Sequence, residues 1–241
     1  MELPSELQHQ AMGYDRAATM FSPEGHLLQV EYAEKTVRFG SSSIGLVCAD
    51  GVVVVADRRL RDKLITPESA NKIFEIDEHI VATAAGLLSD ARILIEQAQV
   101  LAQQNRVTYD GPIDPISVIR MIADRKQAFT QYGGARPYGV MIMIGSVSKG
   151  KVHLYTSDVM GNFFAYNANA IGENDEKIKE MLRKEYSEDM TIEEGIRFAM
   201  KIFKEILAKN FDHNRFDVGI VSKKDGKLSR LHGDDLKKFV R

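Results

Sequence analysis

The chain carries a single cysteine, Cys48, in 241 residues. No disulfide can form within it, and its stability has to come from a packed core. An excess of charge is also missing, since 32 Lys and Arg stand against 34 Asp and Glu for a formal net charge of −2. That balance provides no global field to draw the protein onto nucleic acid or an anionic membrane. The Lys223-Lys224 and Lys237-Lys238 pairs are too brief for a nucleic-acid footprint. Long hydrophobic runs are absent: Val52–Ala56 and Val140–Ile144 are strand-sized and far too short to cross a bilayer. The opening Met1-Glu-Leu-Pro-Ser-Glu6 has neither the basic nor the apolar region of a secretory signal. A cytoplasmic protein is the expectation. The six histidines are scattered without metal-ligand spacing, so no metal or cofactor is expected. Cys48 itself lies in an apolar stretch and reads as a small core residue. No Pro/Gly/Ser linker or low-complexity tract divides the chain, which predicts one domain.

What is present is a series of short strands and paired helices. Ile44–Ala49 and Val52–Arg58 are β-branched runs around Asp50-Gly51, a strong hairpin signal. Lys72–Ile76 and Ile80–Ala84 form a second pair around Asp77-Glu78. Leu87–Gln104 places Leu87, Ala91, Leu94, Ala98 and Leu101 on one helical stripe, and Pro115–Gln131 is a second helix stopping at Gly133-Gly134. The pattern then recurs with strands Val140–Ser146, Lys151–Thr156 and Phe163–Asn167. Helices near Asp175–Glu185 and Thr191–Lys209 come next, the latter with Glu194 completing a capping box on Thr191. Strands Asp217–Ser222 and Leu228–Leu231 flank Asp225-Gly226 and close the chain. This order cannot build a parallel doubly wound sheet. It predicts an α+β fold, a four-layer α-β-β-α sandwich of two antiparallel sheets.

The first forty residues stand outside that scheme. Ser22-Pro23-Glu24-Gly25 reads as a turn, and a helix over about His26 to Phe39, ended by Gly40, follows with Leu27, Val30, Ala33 and Val37 near one stripe. On periodicity alone it is a packing appendage on the sandwich.

Tyr14-Asp-Arg-Ala-Ala-Thr-Met-Phe-Ser-Pro-Glu-Gly-His-Leu-Leu-Gln-Val-Glu-Tyr-Ala33 resembles the signature of proteasome α subunits. Further matches are Gly86-Leu87 with Asp90-Ala91-Arg92, Gln131-Tyr-Gly-Gly134, Arg136-Pro-Tyr-Gly-Val140 and Ala170-Ile-Gly172. The likeness spans nearly the whole chain and is nearer to archaeal than to eukaryotic α subunits. Asp158-Val-Met-Gly161 and Ala85-Gly86-Leu87-Leu88-Ser89 depart from the usual archaeal wording, and the leader before Tyr14 is somewhat long. The resemblance implies the N-terminal-nucleophile hydrolase sandwich with an added N-terminal helix. It divides the chain into a mobile gating leader, 1–13, and one domain, 14–241. Within that domain 14–40 is the α-type signature and helix and 41–241 the sandwich. It further implies a homo-heptameric ring capping a ring of β subunits.

The rival reading is a protease. In the catalytic β type, a threonine freed at the N-terminus attacks the peptide carbonyl with its own α-amine as base, so it must be the first residue of the mature chain. On that pattern Ser41 falls at the nucleophile position, Asp57 at the acidic one and Lys72 at or beside the lysine. Ser41, however, is a serine, is internal, and follows an intact α signature. These are therefore degenerate counterparts, and no catalytic residue is expected; Asp57, Arg58 and Arg59 read as a polar strand end with local ion pairing. The resemblance instead implies docking roles. Lys72, Gly40, Gly86 and Leu87 match the pocket for C-terminal tails of a hexameric proteasome-activating ATPase. Tyr14, Asp15, Pro23 and Tyr32 match the gate cluster. Tyr132, Gly133 and Gly134 match the entrance annulus through which unfolded polypeptide passes. A free-standing ring scaffold without a proteolytic partner fits the same residues.

Overall fold

The β-branched runs fold as hairpins because each has one face to bury on a second sheet and the other to bury under helices. The structure is a computed structural model and describes residues 12–59, 62 and 64–240. Helix α1 (Leu28–Phe39) leads into β1 (Ser43–Cys48), β2 (Gly51–Asp57), β3 (Phe74–Asp77) and β4 (Ile80–Gly86). Helices α2 (Leu88–Tyr109) and α3 (Pro115–Phe129) follow, then β5 (Val140–Ser148), β6 (Lys151–Ser157), β7 (Phe163–Ala165) and β8 (Ala168–Ile171). Helices α4 (Asp175–Glu185) and α5 (Ile192–Leu207) precede β9 (Phe216–Ser222) and β10 (Leu228–His232). The strands form two five-stranded sheets, ordered β10-β9-β2-β1-β8 and β3-β4-β5-β6-β7, with antiparallel pairing throughout.

The period-2 alternation of the strands sorts side chains into three cores. On β2, Val53 and Val55 face α4 and α5, while Val52, Val54 and Ala56 face the opposite sheet. On β4, Ile80, Ala82 and Ala84 pack under α2 and α3, while Val81 and Ala85 join the inter-sheet core. The four-layer sandwich is therefore present as the strand order predicts. Helix α1 adds Val30, Ala33 and Val37 to the inter-sheet core beside Ala56, Ala85, Met143 and Ile171. Its apolar stripe thus seals one end of the sandwich, the end where Ser41 lies.

Several local expectations need correction. Lys72 precedes β3 in an irregular stretch rather than opening the strand. Phe163–Asn167 is a three-residue strand followed by a separate β8, an Ala-Asn-Ala-Ile segment with little intrinsic strand preference that is held by pairing with β1. Helix α3 ends at Phe129 with Thr130 in right-handed conformation, ahead of the two glycines. The Thr191 capping box is present as read, and so is the Asp50-Gly51 hairpin. Residues 1–11 of the expected gating leader lie outside the described residues.

Candidate functional site

The end of the sandwich beneath α1 gathers most of the polar side chains that the sequence singles out. Gly40 follows α1 in extended conformation. Its glycine is required by contact, since a Cβ there would come within 2.3 Å of the Gly86 backbone nitrogen. Gly86 has φ +117, and a Cβ on it would meet the Gly139 carbonyl at 2.2 Å. The exit of α1, the end of β4 and the start of β5 are thereby stacked backbone on backbone. Leu87, 38% exposed, stands beside this stack and edges a groove of about 140 Å³ with Gln29, Tyr32, Ala33, Thr36 and Gly139.

Next along the chain, Ser41 sits over a buried lysine. Lys72 is 1% exposed, and its Nζ donates to the Ser41 carbonyl at 2.7 Å and to Ser41 Oγ at 2.9 Å. Burial lowers the lysine pKa to about 7; Asp57 and Asp217 work in the opposite direction, while Arg59 adds to the lowering. The Gly40 carbonyl accepts from the Glu173 amide at 2.8 Å. Ser41 nitrogen is a peptide amide, so the α-amine that would serve as base in a threonine-type centre does not exist here.

The acidic counterpart is equally committed. Arg215 grips Asp57 in a two-point fork, Nε to Oδ1 at 2.8 Å and Nη2 to Oδ2 at 2.7 Å, and the Arg59 amide donates to Oδ1 at 2.9 Å. Asp57 is 2% exposed. Beside it, fully buried Asp217 takes Arg58 Nε at 3.3 Å and His232 Nδ1 at 2.8 Å. Arg59 pairs with Glu173. The ion pairing of this strand end is therefore mostly long-range, unlike the local pairing expected, because β9 lies beside β2 and brings residues about 160 apart in sequence into register. The sequence does carry one signal for it, an acidic residue at the second position of an otherwise apolar strand, Phe216-Asp-Val.

The structure thus brings Gly40, Ser41, Asp57, Lys72, Gly86 and Leu87 to one end of the fold. The remaining candidates lie around it. The Asp15 carbonyl accepts from Gln29 of α1. Pro23 is exposed in a turn closed by Gly25 N–H to the Ser22 carbonyl at 2.9 Å. Tyr32 is half-buried on α1, with the Lys35 ammonium over its ring. Tyr132, 64% exposed, and Gly133-Gly134 form the tip of the loop between α3 and β5.

Among the described residues no group of His, Cys, Asp and Glu is arranged to hold a metal. No described helix is long and apolar enough to cross a membrane. Cys48 is buried, and burial pushes its thiol up to about 12.

Two family models match the chain. The model of the proteasome subunit covers residues 37–221, and the model of the N-terminal signature of A-type proteasome subunits covers residues 14–35. The chain is 42% identical over 230 residues to the proteasome alpha subunit of Methanosarcina acetivorans, covering 95% of this chain and 93% of that protein. It is 44% identical over 236 residues to that of Methanococcus maripaludis strain C5, covering 96% and 89%. To the counterpart in Methanocaldococcus jannaschii it is 41% identical over 227 residues, covering 94% and 87%.

Proposed function

The chain belongs to the proteasome subunit family as an α-type, non-catalytic member, and from that footing we propose that it forms the end ring of a 20S core particle, controlling access rather than cutting peptides. One observation carries this reading. The α signature runs from turns at its start into helix α1, whose apolar stripe closes the end of the sandwich beside Ser41, and that serine remains internal to the chain. Placed at the mouth of the fold, such a helix blocks the approach a substrate would need and leaves its outer side for neighbouring copies.

In this reading seven copies close a ring upon a ring of β subunits, in the cytoplasm, and unfolded polypeptides pass through the ring. Tyr14, Asp15, Pro23 and Tyr32 hold the open gate, and the leader 1–13 supplies the plug. Tyr132, Gly133 and Gly134 line the entrance. Gly40, Gly86 and Leu87 offer the wall on which the C-terminal tail of a hexameric activating ATPase docks. Lys72 supplies the cation for the tail carboxylate. Its ammonium is engaged with Ser41 in the chain by itself, so docking requires it to exchange those bonds for the carboxylate, which its four-carbon stem permits.

The test is co-purification. The tagged chain is expected to bring down a shorter chain beginning with threonine, in a complex that hydrolyses peptides. Rings of this chain alone, with no such partner at native expression levels, would contradict the proposal in favour of a free-standing scaffold.

A further inference from the structure

The loop between α3 and β5 is tied down at both ends and free at its tip. At its start the Tyr132 amide donates to the Ala128 carbonyl of α3 at 3.2 Å. At its base the rings of Phe129 and Tyr138 pack with centroids 4.7 Å apart. On its far side Arg136 reaches back to Asp90 in the first turn of α2, Nη1 to Oδ2 and Nη2 to Oδ1 at 2.7 Å each. The same Asp90 accepts the Gly139 amide at 2.9 Å. Gly139 in turn gives its carbonyl to the Leu87 amide at 2.9 Å and to Thr36 Oγ1 of α1 at 3.1 Å. Between these anchors Gly133 and Gly134 have nothing within 4 Å of a would-be Cβ, so the tip projects into open space.

Asp90 is 7% exposed. Burial works to raise its carboxyl, but the Arg136 fork and the Gly139 amide outweigh that and hold it below the usual carboxylate range. A buried carboxylate saturated by a two-point fork and a backbone amide is a rigid, directional joint. Here α2, the entrance loop and, through Gly139 and Thr36, helix α1 meet.

We propose that Asp90 is a positioning residue for the entrance, fixing through Arg136 how far the Tyr132–Gly134 tip reaches and coupling that tip to α1. The inference rests on the reading that this tip lines the entrance. Loosening the joint leaves the Phe129–Tyr138 base intact and lets the tip swing, so the opening tolerates bulkier chains.

The experiment uses complexes of this chain with its threonine-bearing β partner, with residues 1–12 deleted so that the leader does not limit passage. The readout is the ratio of unfolded-protein degradation to tetrapeptide hydrolysis, which a merely destabilised complex lowers in both terms together. Asp90→Asn is expected to raise that ratio at least threefold. Arg136→Lys, which keeps the charge and loses the fork, is expected to raise it less, and it decides the matter if the Asn variant does not assemble. Arg92→Gln, an exposed pair with Glu96 on the same helix, is expected to leave it unchanged. Tyr132→Ala separates the two claims. If Tyr132→Ala raises the ratio and the clamp variants do not, the positioning role is refuted. If Tyr132→Ala does nothing either, the entrance assignment fails, and hydrogen exchange judges the clamp alone. Amides 131–136 then exchange faster in Asp90→Asn while those of β5 do not, or the clamp is wrong as well.

Discussion

Replacing Lys72 with methionine removes a titrating group from a fully buried position of the site while keeping nearly the length of the side chain. In the folded chain the lysine has its pKa lowered to about 7 by burial, whereas in the unfolded chain it stays charged up to about 10.4. Between those values the unfolded state binds more protons than the folded one, so wild-type stability rises with pH across that window and is lowest below it. Over the step from pH 7 to pH 9 the difference amounts to about 2 kcal/mol, the full value of about 1.4 kcal/mol per unit being reduced because the group is half titrated at the start. Lys72→Met lacks this dependence. Lys126, also lowered to about 7 by burial, is common to both proteins and cancels in the comparison. Urea unfolding of both at the two pH values, at one protein concentration, gives the double difference directly. Wild type minus variant is expected to grow by about 2 kcal/mol. A difference that stays flat would mean that Lys72 keeps an ordinary ammonium facing solvent, and the burial argument would be wrong. On the docking role proposed for Lys72, a tail carboxylate would favour its charged form, so tail affinity should tighten as pH falls through about 7.

Arg215→Ala takes the two-point fork from the buried Asp57 and leaves it the Arg59 amide; it should cost about 3 kcal/mol, read as a melting temperature lower by about 6–12 °C in calorimetry. Arg197→Ala, which breaks only an exposed pair with Glu193, should change stability by less than about 0.5 kcal/mol. Gly40→Ala drives a Cβ onto Gly86 backbone nitrogen at 2.3 Å and should cost about 1–3 kcal/mol or prevent folding, while Gly133→Ala, with open space around it, should melt as wild type does. Thr191→Ala removes the side-chain half of the α5 capping box, the Oγ1 that accepts the Glu194 amide, and leaves the backbone amide of residue 191 on Glu194; it should cost about 1 kcal/mol in thermal unfolding followed by circular dichroism.

The parts of this fold legible in the sequence are those in which a local pattern and the final packing agree. β2 is an unbroken β-branched run because both its faces are buried, and the stripe of α1 predicts the face that meets the inter-sheet core. β8 is not legible as a strand of its own. Its Ala-Asn-Ala-Ile carries no strand signal, and only the free edge of β1 gives it a partner. The start of β3 is hidden because Lys72, Ile73 and Phe74 look continuous in sequence, yet the Lys72 side chain must turn inward under Ser41. At the site, the resemblance to the catalytic β-type pattern locates Ser41, Asp57 and Lys72, but nothing local points to Arg215 as the partner of Asp57, 158 residues away. Asp90 and Arg136 each lie inside a matched motif, though their joining depends on α2 and the β5 approach packing side by side.

That this chain is an unprocessed, non-catalytic member of its family is tested most directly by intact-mass spectrometry coupled to a peptidase assay. Purified alone and after co-assembly with a β partner, the chain is expected at about its full 27.0 kDa, allowing for loss of Met1, with hydrolysis of fluorogenic peptides only in the co-assembled sample. A species beginning at Ser41, accompanied by peptide hydrolysis in the chain alone, would contradict the account.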